Sequence, residues 1–478
     1  MTERYEVVVV GSGAGGGVVA AHLADGGRSV LLIESGPYRT AADYMRWEAR
    51  ANHELWWPPA LAEPADRPGP PLLMLRGRCV GGTTAINTKV ALRPADHDYA
   101  KWHAATGLVN DGGQPFSEPD LRPYLERVER RLGVRERSDW QRCVHTVEPG
   151  FRALGAELEP VMSYTDHNCM RCGSCLQGCP TNAGKNTLNT FIQPALAEGR
   201  LELRPDCEAR RILVADRGAG PEAAGVEYTG PGGEPHLVEA DVVVVAAGAL
   251  ATPGLLIRSG LGELPAGRHI GAHLGFHPAR IVMGEFDEVQ DAHMVYPITA
   301  HAMGHQHDED GGFVIEASTI QDPISFATTL RDDNGPMWGP RLTDAVRKYR
   351  HWNGVLAMVN DENTATVAVD EDGHERFDLA FNERELGRLD AALEFSKQVL
   401  QAAGAREILW TGIASTHVQG SCRMGDDPAR SATDRNGKVH GIEGLYVGDS
   451  SLIPRTLSVN PSLTIMALAS RLADHLAA

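Results

Sequence analysis

The segment Gly11-Ser-Gly-Ala-Gly-Gly-Gly17 constrains this chain more than any other feature. Four valines, Val7–Val10, precede it, and an apolar stretch of helix type, Val18–Leu23, follows it. A second apolar run, Val30–Ile33, then ends on Glu34. Strand, glycine turn, helix, strand and acid, in that order, are the layout of a dinucleotide-binding βαβ unit. Gly11 permits the tight turn, Gly13 lets backbone N–H groups approach a pyrophosphate, and Gly16 lets the helix pack close to the strand. Ser12 and Ala14 belong to the same turn. The helix N-terminus supplies partial positive charge to the phosphates. Glu34, followed by Ser35, stands roughly 20 residues beyond Gly13, where an acid accepts hydrogen bonds from ribose hydroxyls.

A chain of 478 residues is long enough for about three domain-sized units or for two interleaved ones. The 52 glycines and 6% aromatic content suit a loop-rich α/β enzyme. A net charge of −18 argues against a nucleic-acid or anionic-membrane partner. The valine run is too short to span a bilayer, and no other stretch is long enough. The first strand begins at about Tyr5, which leaves nothing resembling a signal peptide. The simplest compartment is the cytoplasm, where the eight cysteines are expected as reduced thiols or metal ligands.

Residues up to about Arg93 read as α/β with a long loop, irregular across the proline-rich Trp56–Pro71. Residues 98–165 read as helical, with Asp120–Leu132 showing helical spacing behind an acidic start. Strands are expected at Leu201–Arg204, Arg211–Val214, Gly225–Tyr228, His236–Glu239 and Val242–Ala246, with a turn over Arg217–Glu222. Residues 272–410 alternate short apolar runs with acidic turns and read as an antiparallel sheet with covering helices. Gly412–Ala478 returns to the glycine-rich style of the N-terminus.

Cys169-x2-Cys172-x2-Cys175-x3-Cys179-Pro180 has the spacing of a bacterial ferredoxin run. Such a run admits a [4Fe–4S] cluster with a distant fourth ligand, Cys143 or Cys207, or a [3Fe–4S] centre on three of the four thiols. Zinc and uncomplexed thiols are the other readings. Cys79 and Cys422 read as packed small residues. His293, His301, His305 and His307 fit no standard metal spacing and read as a solvated loop.

Four further segments carry a family resemblance: Arg76-Gly-Arg-Cys-Val-Gly-Gly-Thr-Thr-Ala-Ile-Asn87; Ala246-Ala-Gly-Ala-Leu-Ala-Thr-Pro-Gly-Leu-Leu256; His417-Val-Gln-Gly-Ser-Cys-Arg-Met-Gly425; and Gly444-Leu-Tyr-Val-Gly-Asp-Ser-Ser451 with Val459-Asn-Pro-Ser-Leu-Thr464. With the N-terminal turn, they resemble the glucose–methanol–choline (GMC) family of FAD-dependent oxidoreductases along essentially the whole chain. The resemblance is weakest over 98–165 and 272–410, where that family varies with substrate.

The resemblance implies a Rossmann-like FAD-binding domain interleaved with an α+β substrate domain built on an antiparallel sheet. The expected division is 1–97, 181–271 and 412–478 for FAD, and 98–180 with 272–411 for substrate, the latter including the cysteine segment 169–179. Gly81, Gly82, Thr83 and Asn87 would run along the flavin and its pyrophosphate, and Ala247 and Gly248 would form a second backbone approach. Asp449, beside Ser450, would sit near the ribityl and pyrophosphate part, and Asn460, Pro461 and Thr464 near the isoalloxazine edge. Some family members bond the flavin to a histidine in the segment that here reads Gly81–Asn87. None stands there, so a non-covalent FAD is expected.

His417 matches the family's catalytic histidine, and imidazole suits removal of a hydroxyl proton near neutral pH. Asn460 takes the partner position and would orient the substrate oxygen, while His440 reads as structural. The expected reaction is oxidation of a primary or secondary alcohol, with electrons passing to oxygen or to an external carrier. A sugar, amino-sugar or polyol is favoured over a lipid alcohol or sterol, with Asp308, Asp310 and Glu362 weakly favouring a polar or cationic substrate. The alternatives are a flavin-containing lyase of the hydroxynitrile type and an electron-carrying flavin–iron–sulfur protein.

Overall fold

A computed structural model describes residues 3–62, 69–216, 218, 220–264, 266–317 and 319–478. Its first sheet grows from the valine run. Val7–Val10 pairs in parallel with Val30–Ile33 on one side and with Val242–Val245 on the other. Leu201–Arg204 extends the sheet beyond Val30–Ile33. These runs are uninterrupted apolar segments because both faces of the sheet are covered, and Val8, Val9, Leu31 and Leu32 have no exposed surface.

The strand Pro235–Val245 is continuous where two strands were expected. Its first half pairs antiparallel with Pro221–Thr229, and its second half pairs in parallel with Leu445–Val447. A piece of chain from the C-terminal region thus completes a sheet begun at the N-terminus. The helices Gly16–Asp25 and Ser462–Ala477 pack on one another against this sheet, and Glu118–Leu132 packs on the second of them. Arg127 there donates to Asp474 at 2.8 Å.

The second sheet is antiparallel at its centre. Ala279–Glu285 lies between Trp352–Val359 and Glu407–Thr411, and Phe313–Ala317 and Ala300–Ala302 follow beyond Trp352–Val359. Helix Glu383–Ala402 begins with a reciprocal cap between Asn382 and Glu385. It buries Leu389, Ala392 and Val399 with Phe313, Ile315, Val355 and Ala357 of the sheet. Strand alternation turns Glu316 away from that core. Across the pairing, Glu316 stands opposite His301 and Leu356.

Three short strands of this sheet come from outside the expected substrate segments. Ala60–Ala62 and Leu72–Met74 pair with each other, and Leu72–Met74 pairs with Ile413–Ser415. The segment Trp56–Pro71, expected to be irregular, thus contains the strand Ala60–Ala62 and leads into Leu72–Met74; its residues 63–68 lie outside the described residues, as do Arg217 and Ala219 of the expected 217–222 turn. Among the described residues, no helix is long and apolar enough to cross a membrane.

Candidate active site

The glycine turn sits where the two parallel neighbours of the first strand leave the sheet. Gly11 donates to Ile33 O at 2.8 Å, and Ala246 donates to Val10 O at 2.7 Å. Gly11 has φ +95°, and a Cβ on it would overlap the Ala246 carbonyl. Gly16 rests on the Gly11 carbonyl, so it serves helix packing and does not line the cavity.

Glu34 is held by the protein itself. Its Oε2 accepts from Ser12 N at 3.0 Å and Ser12 Oγ at 2.7 Å, and its Oε1 accepts from Gly36 N at 2.8 Å. Burial raises its carboxyl above the usual range while these donors pull it down. Ser12 Oγ also accepts from Gly81 N at 3.0 Å, so one hydroxyl ties the turn, the acid and the Gly81–Asn87 segment together. The backbones of Gly82 and Gly13 touch: a Cβ on Gly82 would lie 2.7 Å from Gly13 Cα.

Asp449 closes the same region from the C-terminal side. Its Oδ2 accepts from Gly248 N at 2.8 Å and Thr252 Oγ1 at 2.5 Å, and its Oδ1 accepts from Ser451 N at 2.8 Å. It is therefore both the cap of the turn Ser450–Leu452 and the clamp on the Ala247–Gly248 backbone.

These segments enclose one cavity of about 640 Å³, a size within the range of small-molecule sites. Gly11, Ser12, Gly13, Ala14, Glu34 and Ser35 line it, with Gly82, Thr83, Asn87, Ala247, Gly248, Asp449 and Ser450. His417, Asn460 and Pro461 line it too. Gly81 stands behind the wall. Thr464, expected at the wall, is fully buried outside it because Ser462 and Ile465 occupy the facing positions of that helix.

His417 follows the strand Ile413–Ser415, and its N–H donates to Ser415 Oγ at 3.0 Å. Its Nδ1 lies 3.2 Å from Nδ1 of His277, with the rings stacked at 5.3 Å and tilted by 29°. Burial pushes His417 down to about 4. Asn460 has a buried Oδ1 with no partner among the described residues, and its amide stands beside the buried carboxyl of Glu316. Burial pushes Glu316 up to about 7, with the Asn460 amide pulling the other way. His277 and Glu316 went unread in the sequence. No motif marks either, and their place depends on strands far apart in the chain. His440 Nε2 rests on Ser431 Oγ at 3.1 Å, a structural role.

The acids expected to favour a cationic substrate are otherwise engaged. Asp308 pairs with Lys101 at 3.0 Å and Arg388 at 3.2 Å, and Glu362 pairs with Arg388 at 3.0 Å and Arg455 at 2.8 Å. Asp310 is exposed.

The cysteine run forms no single-ion site, although Cys169, Cys172 and Cys179 all stand near Cys175. A single ion held by thiolates needs sulfurs about 2.3 Å from one centre, and no three of Cys169, Cys172, Cys175 and Cys179 place their sulfurs within 4.8 Å of one another. Spacing alone does not aim thiols, and two of these have other neighbours. Cys179 Sγ accepts from Gly184 N at 3.2 Å. Cys175 and Cys179 lie near the buried ammonium of Lys89, which donates to Thr84 O and is pushed down to about 8 by burial. Tetrahedral zinc is thereby disfavoured, and the expected iron–sulfur ligation has no support. Cys79 and Cys422 are fully buried.

Residues 5–279 and 369–469 match the two parts of the GMC oxidoreductase family. The chain is a GMC oxidoreductase. It is similar to a long-chain-alcohol oxidase, FAO4B, of Arabidopsis thaliana, with 30% identity covering 99% of this chain and 68% of the relative. The 6'''-hydroxyparomomycin C oxidase of Streptomyces lividus is also 30% identical, covering 99% of this chain and 92% of its own. Among solved structures, pyridoxine 4-oxidase from "Mesorbium loti" shares the fold at a TM-score of 0.75 and 18% identity, covering 98% of this chain and 99% of that one. As a member of this FAD-dependent family, which acts on CH–OH groups, the GMC oxidoreductase described here has a site that fits the cofactor. A Cβ on Gly82 would collide with the Gly13 backbone, and Gly248 faces space in which a Cβ would meet nothing within 4 Å.

Proposed function

We propose that this GMC oxidoreductase oxidises a primary or secondary alcohol to an aldehyde or ketone, with His417 taking the hydroxyl proton and Asn460 orienting the oxygen. One observation supports the reading above all: a single cavity joins the glycine turn and Glu34 to His417 and Asn460. FAD, bound without a covalent link, supplies the hydride acceptor. Gly11–Ala14, Glu34, Gly82, Thr83, Gly248 and Asp449 would hold it. His417, neutral because burial disfavours its charge, lines the cavity, and with Nδ1 on His277 its Nε2 is the ring nitrogen left for substrate. The Asn460 side chain offers its amide to the substrate oxygen from the same wall.

An amino-sugar or other polyol is supported as substrate by the hydroxyparomomycin oxidase, which aligns over nearly its whole length. A long-chain alcohol is supported by the FAO4B relative and by an apolar lining that includes Trp56, Val90, Leu176 and Val418. Both relatives are oxidases, which supports oxygen as the electron acceptor. The test is anaerobic mixing of the FAD-loaded protein with a long-chain primary alcohol, a polyol and an aminoglycoside. Bleaching of the visible flavin band by one of them is expected. A band that no alcohol bleaches would reject the oxidation and leave the lyase reading.

A further inference from the structure

Among the described histidines, His277 alone combines near-complete burial with a positive φ. Its side chain is 1% exposed, and its backbone adopts φ +49°. That conformation is uncommon for a non-glycine residue, and more so for one followed by proline. The strain is held from several sides. Phe276 N donates to Asp361 Oδ2 at 2.7 Å. Gly275 and Gln419 exchange backbone hydrogen bonds, both at 2.9 Å. Ser415 Oγ donates to Phe276 O and accepts from His417 N. Residues 275–277 and 415–419 are thus laced side by side. Strain kept in place by so many contacts points to a function for the side chain it presents.

That side chain meets one ring, His417, at the 3.2 Å Nδ1–Nδ1 contact. Two imidazole nitrogens at hydrogen-bond distance share one proton, so one ring donates and the other accepts. If His277 donated, the remaining proton of His417 would sit on Nε2, and no lone pair would face the cavity. If His417 donates, its Nε2 carries the lone pair. We infer that His277 is a positioning residue that accepts the Nδ1 proton of His417 and thereby fixes His417 in the tautomer whose Nε2 is the base. The inference deepens the alcohol-oxidation reading and rests on it for the word base.

The chemistry then balances within the pair. The substrate hydroxyl loses its proton to His417 Nε2. His417 becomes an imidazolium that still donates through Nδ1 to a neutral His277. His277 stays neutral because its charged form is disfavoured by burial, by His417 and by Lys101. The remaining charged neighbour, Asp361, faces the backbone N–H groups of Phe276 and His277 and not the ring. The arrangement leaves His277 Nε2–H without a partner among the described residues.

Two measurements test this. The first is ¹⁵N NMR of histidine-labelled FAD-loaded protein, with His417 assigned by its loss in a His417→Gln sample. A protonated Nδ1 and an unprotonated Nε2 are expected on His417; the reverse overturns the inference, whether or not any alcohol is oxidised. The second compares anaerobic flavin reduction in His277→Leu and His277→Asn at matched flavin content. Asn tolerates positive φ and places its amide oxygen about where the His277 Nδ1 stands. His277→Leu should be roughly 10–100-fold slower, the usual effect of losing a partner that orients a working ligand, with His277→Asn restored to within a few-fold of the parent. A His277→Leu protein as fast as the parent, or a His277→Asn protein no faster than His277→Leu, would show a merely structural residue. Should the parent itself be reduced by no alcohol, the functional reading fails and the NMR result alone decides the tautomer.

Discussion

A buried imidazole with no carboxylate beside it has an unusual acid–base range. His417 is pushed down to about 4 by burial alone. The working form is the neutral one, so flavin reduction should fall only as pH drops through about 4. An ordinary histidine, near 6.5, would already be losing activity at pH 6. Stopped-flow reduction of a Glu316→Gln protein, which removes the neighbouring carboxyl that titrates in this range, should therefore be flat from about pH 5.5 to 8; an inflection near 6.5 would show that the ring is not desolvated as described. Removing the base with His417→Ala should keep the flavin and slow its reduction by roughly 10²–10⁴-fold. The neighbouring Glu316 has the opposite problem. Burial raises its carboxyl, so it gives up its proton near pH 7. Above that pH an unpaired buried charge would face the Asn460 amide.

At the scale of elements, the turns matter more than the strands they join. Gly11→Ala would force a side chain onto the Ala246 carbonyl at a positive φ. Strain of that kind costs about 1–3 kcal/mol, and the same shift would move Ser12 off Glu34 and Gly81. Thermal unfolding should show a lower midpoint, and equilibrium dialysis a weaker hold on FAD. An unchanged flavin affinity would mean that the turn does not shape the site. The first turn was legible because it needs glycine at a fixed offset from an apolar run, Gly11 after Val10, whereas Gly248 and His417 were legible through the family resemblance of their segments. Other features had no such signature. Leu72–Met74 is three residues long beside a proline-rich loop, and its pairing with Ile413–Ser415 spans most of the chain. His277 acquires its meaning from a contact 140 residues away. The cysteine run is the opposite case: its spacing is regular, but spacing does not decide where a sulfur points, and Thr181, Gly184 and Lys89 all act on Cys179.

On the scale of the whole molecule, the polypeptide closes on itself around the cavity. The first sheet lacks its Leu445–Val447 strand until the last tenth of the chain is in place. The same stretch supplies Asp449, which clamps Gly248, and Asn460. Helix Ser462–Ala477 buries Leu463, Ile465, Met466, Leu468 and Leu472 against the rest of the protein. At about 2 kcal/mol per large apolar side chain, those five contribute on the order of 10 kcal/mol, comparable to the whole stability of a typical domain. Ending the chain after Thr411 should thus remove more than the catalytic histidine. The shortened protein should lose cooperative unfolding in circular dichroism and retain no flavin through gel filtration, and co-expression of residues 412–478 as a separate piece should restore both. A truncated protein that still unfolds cooperatively and elutes yellow would mean that the N-terminal glycine turn holds the cofactor without its distant partner, and that the closure of the sheet by Leu445–Val447 is dispensable.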